Sequence, residues 1–354
     1  MQPWINMNRV TSFLIGLLNT PSPTGYHEEA ISYVQRSFEE LELPGFVQER
    51  NRKGALIATL PGASATAPRA ISAHVDTVGA MVRKVKDNGR LMLTQLGSYA
   101  WNAVEGENVT IHCVRDGRRY RGTLQTITPS VHTSDQVGEA KRSEERMEVR
   151  IDARTANKEE TLRLGIDVGD FVFFDPRAEV TETGYIKSRH LDNKAGVTVI
   201  YGALLSLKEA GLMPAQRTTV LISVYEEVGH GGATGIPQDV AELLVVDMAT
   251  STVGENQNSD EYSVGICAKD STGPHDLIMR QKLMRLCDAY SIPYKLDTYP
   301  HYGSDIRAFL GAGGDVRAGL MGPGIDASHA YERTHRDSLE ASVRLAMRYL
   351  VDRG

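Results

Sequence analysis

Thr218-Thr219-Val220-Leu221-Ile222-Ser223-Val224-Tyr225-Glu226-Glu227-Val228-Gly229-His230-Gly231-Gly232 is the stretch that decides how the rest of this chain is read. Its first half is β-branched and apolar, the pattern of a strand buried on both faces. It stops on two adjacent carboxylates and then a glycine-rich turn, whose backbone can take conformations closed to other residues. In open α/β sheets, ligands bind outside the carboxyl ends of the strands, which is where Glu226 and Glu227 fall. The plain reading is a solvated Glu-Glu at the start of a loop. The chemical reading is a metal site, with one carboxylate on the ion and the other handling a proton.

Recurrence favours the chemical reading. Ala70-Ile71-Ser72-Ala73-His74-Val75-Asp76 is a second short apolar run, ending on His74 and Asp76. Residues 241–247, Ala-Glu-Leu-Leu-Val-Val-Asp, are a third, ending on Asp247. The carboxyl ends of three such strands would lie along one edge of a parallel sheet.

At 354 residues the chain is long enough for a large core and two domains. Its 41% hydrophobic and 24% charged residues are those of an ordinary globular protein. A net charge of −6 argues against a nucleic-acid partner or an anionic membrane surface. Lys and Arg are scattered, and their densest spot, residues 115–121, reads as a hairpin. Cys113, Cys267 and Cys287 are widely spaced and odd in number, which suggests free thiols in a reducing compartment. No run approaches the ~20 apolar residues of a membrane span, and the short run at residues 13–18 lacks a signal-peptide cleavage site. The expected location is cytoplasmic.

Along the chain, residues 9–18 and 27–43 read as helices, residues 55–60 as a short strand and residues 64–68 as a surface loop. More than a hundred residues then separate Asp76 from the next candidate ligand, Asp192. A crossover between neighbouring parallel strands needs only a dozen or more. The texture of this interval also changes to short alternating runs punctuated by glycine and charge. Residues 78–184 therefore read as an inserted β-rich, barrel-like domain, and residues 1–77 with 185–354 as the main α/β domain, a mostly parallel sheet flanked by helices. Within the insert, residues 133–157 are polar and poor in core residues, as expected of an exposed loop or of a segment ordered only by a partner subunit.

After the insert, Asp192 opens a long helix in which Val197, Ile200, Leu204 and Leu207 share a face and Gly211 caps the end. A carboxylate at a helix start has a plain reading as an N-cap as well as a ligand reading. The collected candidates are His74, Asp76, Asp192, Glu226, Glu227, Asp247 and one histidine near the end. This imidazole and carboxylate set suits zinc, cobalt or manganese rather than a thiolate-bound structural zinc. It also exceeds what one tetrahedral ion needs, which implies two ions sharing a bridging carboxylate.

The order of motifs, Thr20-Pro-Ser-Pro-Thr-Gly-Tyr26, His74-Val-Asp76, Leu191-Asp192-Asn-Lys-Ala-Gly196, Glu226-Glu227-Val-Gly229, Val246-Asp247, Gly303-Ser-Asp305 and Arg333-Thr-His335, resembles the TET-type dinuclear metallo-aminopeptidases. That family includes glutamyl and deblocking aminopeptidases and members once labelled endoglucanases. The overall look of the chain, rather than any one motif, is also similar to a subgroup linked to bacterial gene sets for the osmoprotectant N-acetylglutaminylglutamine amide. The resemblance implies that His74 and Asp247 hold one ion, Glu227 and His335 the other, and that Asp192 bridges them. It implies that Asp76 accepts a hydrogen bond from the His74 ring and that Glu226 is the general base for a water held between two ions, zinc first among the choices. His329, six residues before His335, is the second candidate for the last ligand.

The resemblance further implies small peptide substrates and self-association, from dimers to a hollow tetrahedral particle, with the insert serving assembly and access. Glu255, Glu261 and Asp305 are candidates for holding a substrate α-ammonium. An amidase or deacylase acting on a small blocked peptide, and a non-catalytic peptide-binding or assembly protein, are the alternatives. The chain departs from the family in having Thr77 after His-x-Asp, where an acid is common. It also has Arg336-Asp337 after His335, where Ser-Pro is common.

Overall fold

Parallel pairing of four apolar runs organises the part of the chain that carries the candidate residues. A computed structural model describes residues 5–251 and 256–354. It divides into a larger unit, Met1–Asp76 with Arg177–Gly354, and a smaller one, Thr77–Pro176.

In the larger unit the strands Gln216–Ser223, Ser64–His74, Glu242–Val246 and Arg317–Asp326 lie side by side in that order, each parallel to the next. Leu56–Leu60 and Val264–Asp270 flank them antiparallel. Side chains alternate across the sheet, so successive residues serve different cores. Leu244 and Val246 join a large cluster built with the helices Met7–Leu18, Leu191–Ala210 and Arg336–Val351. Leu243 and Val245 join a smaller one with Ile306 and Phe309 of the Asp305–Gly311 helix. Register then aligns the strand ends: Ser223 pairs with His74, and the Asp247 amide donates to the Met321 carbonyl at 3.0 Å.

Three local expectations are corrected. Residues 64–68, read as a loop, extend the Ser64–His74 strand, because Ser64 pairs with Gln216 beyond a register shift. The Leu191–Ala210 helix is buried on every side as far as Leu207 rather than along one stripe, since two helices and the sheet enclose it. The central strand Arg317–Asp326 has no counterpart in the sequence reading. Its Gly319, Gly322 and Gly324 lower strand propensity, yet close approach demands small residues there. A Cβ at Gly322 would lie 1.9 Å from the Asp247 carbonyl oxygen, and one at Gly324 1.8 Å from that of Asp260.

The smaller unit is a closed barrel of six strands, in the order Gly79–Val85, Leu91–Leu96, Met147–Ile151, Arg119–Thr126, Asn108–His112 and Phe171–Phe174. The basic spot at residues 115–121 is the turn of the hairpin joining Asn108–His112 to Arg119–Thr126. Met147–Ile151 falls within the stretch read as exposed loop, but its Met147, Val149 and Ile151 fill the barrel interior. The unit ends at Pro176 rather than at residue 184, because Glu179–Val180 pairs with Tyr185–Ser188 in the larger unit's sheet. Cys113, Cys267 and Cys287 are buried free thiols. Among the described residues no helix is long and apolar enough to cross a membrane.

Gly322→Ala should destabilise the protein by about 1–3 kcal/mol through overpacking, and it should loosen Asp247. A thermal melt alongside metal analysis would check this; an unchanged melting temperature with unchanged metal binding would mean the strands part without cost.

Candidate metal centre

Each side chain of the centre is delivered by the end of a regular element. His74 closes the Ser64–His74 strand, Asp247 follows Glu242–Val246, and Glu226 and Glu227 form a short 3-10 turn after Gln216–Ser223. Asp192 stands at the start of the Leu191–Ala210 helix, with φ −76° and ψ 107°, outside helical geometry. Its side chain caps nothing there and is directed to histidines. Asp192 Oδ1 lies 3.3 Å from His74 Nε2, and Asp192 Oδ2 lies 3.2 Å from His329 Nε2. Among the described residues two groups able to hold a metal ion result, His74 with Asp192 and Asp247, and Asp192 with Glu227 and His329. Within each, the donor atoms lie within 4.8 Å of one another. Asp192 belongs to both.

The last histidine of this cluster is therefore His329, and the assignment to His335 is corrected. Glu332–His335 is a strand paired with Tyr185–Ser188, and Tyr185 sits opposite His335. That pairing leaves the His335 ring packed on Tyr185 and Tyr262, its Nε2 donating to the Thr183 carbonyl at 2.9 Å. Its Nδ1 accepts from the Asp337 amide at 3.2 Å, capping the final helix. His329 lies in the loop just past Arg317–Asp326, at φ 64°. The signal for it was the one the other candidates carry, an apolar run ending near a ligand-type side chain, here obscured by glycines.

Asp76 also acts differently from the expectation. The His74 Nδ1 donates to the main-chain carbonyl of Asp76 at 2.9 Å, while the carboxylate is 3.7 Å away. That carboxylate accepts from the Thr24 hydroxyl at 2.7 Å and from the amides of Glu226 and Glu227 at 3.1 and 3.4 Å. It holds the turn that presents both glutamates. Glu332, which the sequence reading did not single out, holds the backbone of two other residues of the centre. Its buried carboxylate accepts from the amides of Asp192 at 3.1 Å and His329 at 3.0 Å.

None of the described candidates for an ammonium anchor is available. Asp305 is buried beneath the glycine turn and accepts from Ser72 at 3.2 Å, from Ser223 and from the Gly232 amide at 2.6 Å. Glu261 pairs with Arg333 through two bonds of 2.8 and 2.7 Å. Glu255 lies outside the described residues.

Crowding sets the electrostatics. Burial, then the charge of Asp192, pushes Glu227 up to about 8. Burial pushes Asp247 up to about 7, against the pull of His74 and with the repulsion of Asp192. Burial raises Glu226 well above the ordinary carboxylate range. Asp192 is lowered: burial opposes its charge, but His329 and His74 more than compensate. Burial alone would lower His74; Asp247, Asp192 and Glu226 reverse it and hold it well above its usual value. With Nδ1 committed to a carbonyl, a neutral His74 would aim its Nε2 lone pair at carboxylates, which is repulsive unless positive charge stands between them. Glu227 Oε1, moreover, is buried with no hydrogen-bond partner among the described residues. A divalent cation answers both features, and the oxygen and imidazole donors fit one.

His329→Ala should strip metal from the protein, whereas His335→Ala should retain it and cost about 1 kcal/mol of stability through the lost helix cap. Elemental analysis beside a thermal melt separates the two; metal loss confined to the His335 variant would reverse the assignment. Glu332→Gln sets an amide donor against one of two main-chain N–H groups. It should weaken metal affinity about 10–100-fold, the usual cost of disturbing groups that orient ligands, read by competition with a chelator.

Residues 54–345 match the M42 glutamyl aminopeptidase family. The chain is 44% identical over 334 residues to the Bacillus subtilis (strain 168) protein named "Putative aminopeptidase YhfE", covering 94% of this chain and 95% of that one. Its fold is that of a TET aminopeptidase from a marine sediment thaumarchaeon, with a TM-score of 0.87 at 16% identity, covering 97% of this chain and 96% of the other. It is also that of the Pyrococcus horikoshii TET1 peptidase, with a TM-score of 0.84 at 19% identity, covering 97% and 99%. The latter is described as assembling into a tetrahedron or a large octahedral shell.

Proposed function

This chain belongs to the M42 glutamyl aminopeptidase family and is a peptide hydrolase, and on that premise we propose that it removes N-terminal residues from small peptides with Glu226 as general base. The observation that carries the reading is the position of Glu226. Its carboxylate lies 3.7 Å from His74 Nε2, at the heart of the cluster, yet it belongs to neither metal-holding group. A carboxylate beside the ligands but not among them is what proton transfer requires.

His74 and Asp247 would hold one divalent ion, Glu227 and His329 the other, and Asp192 both; zinc suits the donors best, with cobalt or manganese as alternatives. Such ions supply Lewis acidity, making water a better nucleophile and the scissile carbonyl a better electrophile. Glu226 takes the proton of the attacking water and returns it to the leaving amine. The charge of bound cations would draw its pKa back down from the raised value, toward the range where a base works near neutral pH. Asp76 and Glu332 hold the backbone of Glu226, Glu227, Asp192 and His329, so the geometry exists before substrate arrives. In analogy to the TET1 neighbour, self-association into a closed particle is part of this proposal, and sedimentation of the purified protein tests it.

A second reading keeps the centre and changes the substrate: an amidase or deacylase of a small blocked peptide. It is favoured by one observation, that Glu261 and Asp305 are both engaged elsewhere.

Glu226→Gln should lower turnover by at least about 10²-fold, the usual contribution of a general base, with metal content unchanged. Metal lost together with activity would mean that Glu226 is a ligand. Full reconstitution after chelation should approach two ions per chain, and a plateau near one would remove the two-ion arrangement. Peptides with free and acetylated N-termini, compared on the reconstituted protein, decide between aminopeptidase and amidase.

A further inference from the structure

Residues 20–26, Thr-Pro-Ser-Pro-Thr-Gly-Tyr, supply no member of either metal-holding group, yet they grip segments that do. Pro21 and Pro23 fix two backbone angles and remove two N–H donors. The Tyr26 amide closes a tight turn on the Pro23 carbonyl at 2.7 Å. Gly25 takes φ 93° in that turn, where a side chain would be strained. Lys194, fully buried near the start of the Leu191–Ala210 helix, donates from Nζ to the Thr20 carbonyl at 2.6 Å. Ser22 donates to the Val75 carbonyl at 2.7 Å and Thr24 to Asp76 Oδ2 at 2.7 Å, both from buried residues. The stiff segment is thus tied to the helix that carries Asp192 and to the two residues that follow His74.

The Thr24 bond falls on a carboxylate with a choice of donors. Asp76 Oδ1 lies 3.1 Å from the Glu226 amide and 3.7 Å from His74 Nδ1. It accepts from the amide, while the His74 ring is held by the Asp76 carbonyl at 2.9 Å. Oδ2 accepts from the Glu227 amide at 3.4 Å and from Thr24 at 2.7 Å, the shortest of the three bonds to this carboxylate. A hydrogen bond to an ionised group is roughly twice as strong as a neutral one, so Thr24 fixes the way the carboxylate faces. Without that hydroxyl, Oδ2 keeps one long bond in an interior where unmet charge is costly. The His74 N–H is then the nearest further donor, and turning toward it releases the amides.

We propose that Thr24 is a positioning residue for the general base: its hydroxyl keeps the Asp76 carboxylate on the Glu226 and Glu227 amides and off the His74 ring. This rests on the reading of Glu226 above and deepens it. The two glutamates depend on that hold unequally. Glu227 has a second anchor in the cation it would ligate, whereas Glu226 belongs to neither metal-holding group and is placed by its backbone. Proton transfer needs hydrogen-bond reach, and a displacement of about 1 Å can cost about 10²-fold in rate. Loss of the Thr24 bond therefore falls on turnover before it falls on metal binding.

The test is Thr24→Val, which keeps the branched shape and removes the hydroxyl. In the full, metal-reconstituted protein it should lower kcat about 10–100-fold, with KM within about threefold and metal content unchanged. Thr24→Ser, which restores a hydroxyl, should return kcat to within about threefold of wild type. Thr24→Cys, a weak donor close to serine in size, should fall between them, so the series decides even where the valine variant does not fold. Thr20→Val is the control: that hydroxyl bonds the Gly16 carbonyl at 2.9 Å rather than Asp76, and its loss should leave kcat unchanged. Hydrogen exchange read by mass spectrometry is independent of turnover. In Thr24→Val, residues 224–232 should exchange about tenfold faster, while residues 327–335, held by Glu332, stay as in wild type. Wild-type kcat in Thr24→Val, equal turnover in the serine and cysteine variants, metal lost together with activity, an equal fall in Thr20→Val, or equal loosening of both segments would each overturn the assignment. If Glu226→Gln leaves turnover intact, the base assignment fails instead, and the exchange comparison still decides whether Thr24 holds the turn.

Discussion

Mutual repulsion among buried carboxylates is the constraint on which the rest of this structure depends. Asp192, Glu227 and Asp247, with Glu226 beside them, converge where water is largely excluded, and Asp76 and Asp305 lie just behind. Left alone, such a group would take up protons or move apart. Two kinds of compensation are visible. Main-chain amides and hydroxyls are aimed at the acids that ligate nothing, Asp76, Asp305 and Glu332. The acids facing inward meet two imidazoles and leave one oxygen of Glu227 without a hydrogen-bond partner among the described residues. The first kind makes a rigid frame, and the second makes a place for cations.

The frame explains why so much of the fold serves a few atoms. Parallel pairing brings the ends of three strands to one edge, and the glycines of the fourth allow Asp247 and residue 260 to approach its backbone. The Leu191–Ala210 helix is buried through most of its length because its first turn must carry Asp192 to the middle of the cluster. Asp76 and Glu332 act through the same device, a buried carboxylate gathering two main-chain amides. Each sets the position of residues from two segments. Such arrangements cost stability locally and are retained because they fix geometry before any ligand binds.

Where expectation and structure part, the cause is pairing that no local pattern encodes. His335 carries the spacing of a ligand, but antiparallel pairing with Tyr185 leaves it beside Thr183, as the cap of the last helix. Asp76 has the right spacing to hold the His74 ring with its carboxylate. The carbonyl of the same residue does so instead, because the carboxylate is taken by the turn at Glu226. Met147–Ile151 sits in a polar stretch and still supplies three apolar side chains to the barrel, since a strand needs only every second residue to be apolar.

By itself the sequence indicated the architecture, a sheet interrupted by a β-rich insert, and the side-chain types of the centre, while the sheet proved mixed, parallel at its middle and antiparallel at its flanks. Those follow from periodicity and from which side chains end the apolar runs, both local properties of the chain. Tertiary structure alone decided that His329 rather than His335 joins Asp192 and Glu227, and that Glu332 steadies them. Each depends on distances between segments far apart in the chain, fixed by strand register and close packing, and a linear string carries no measure of those distances.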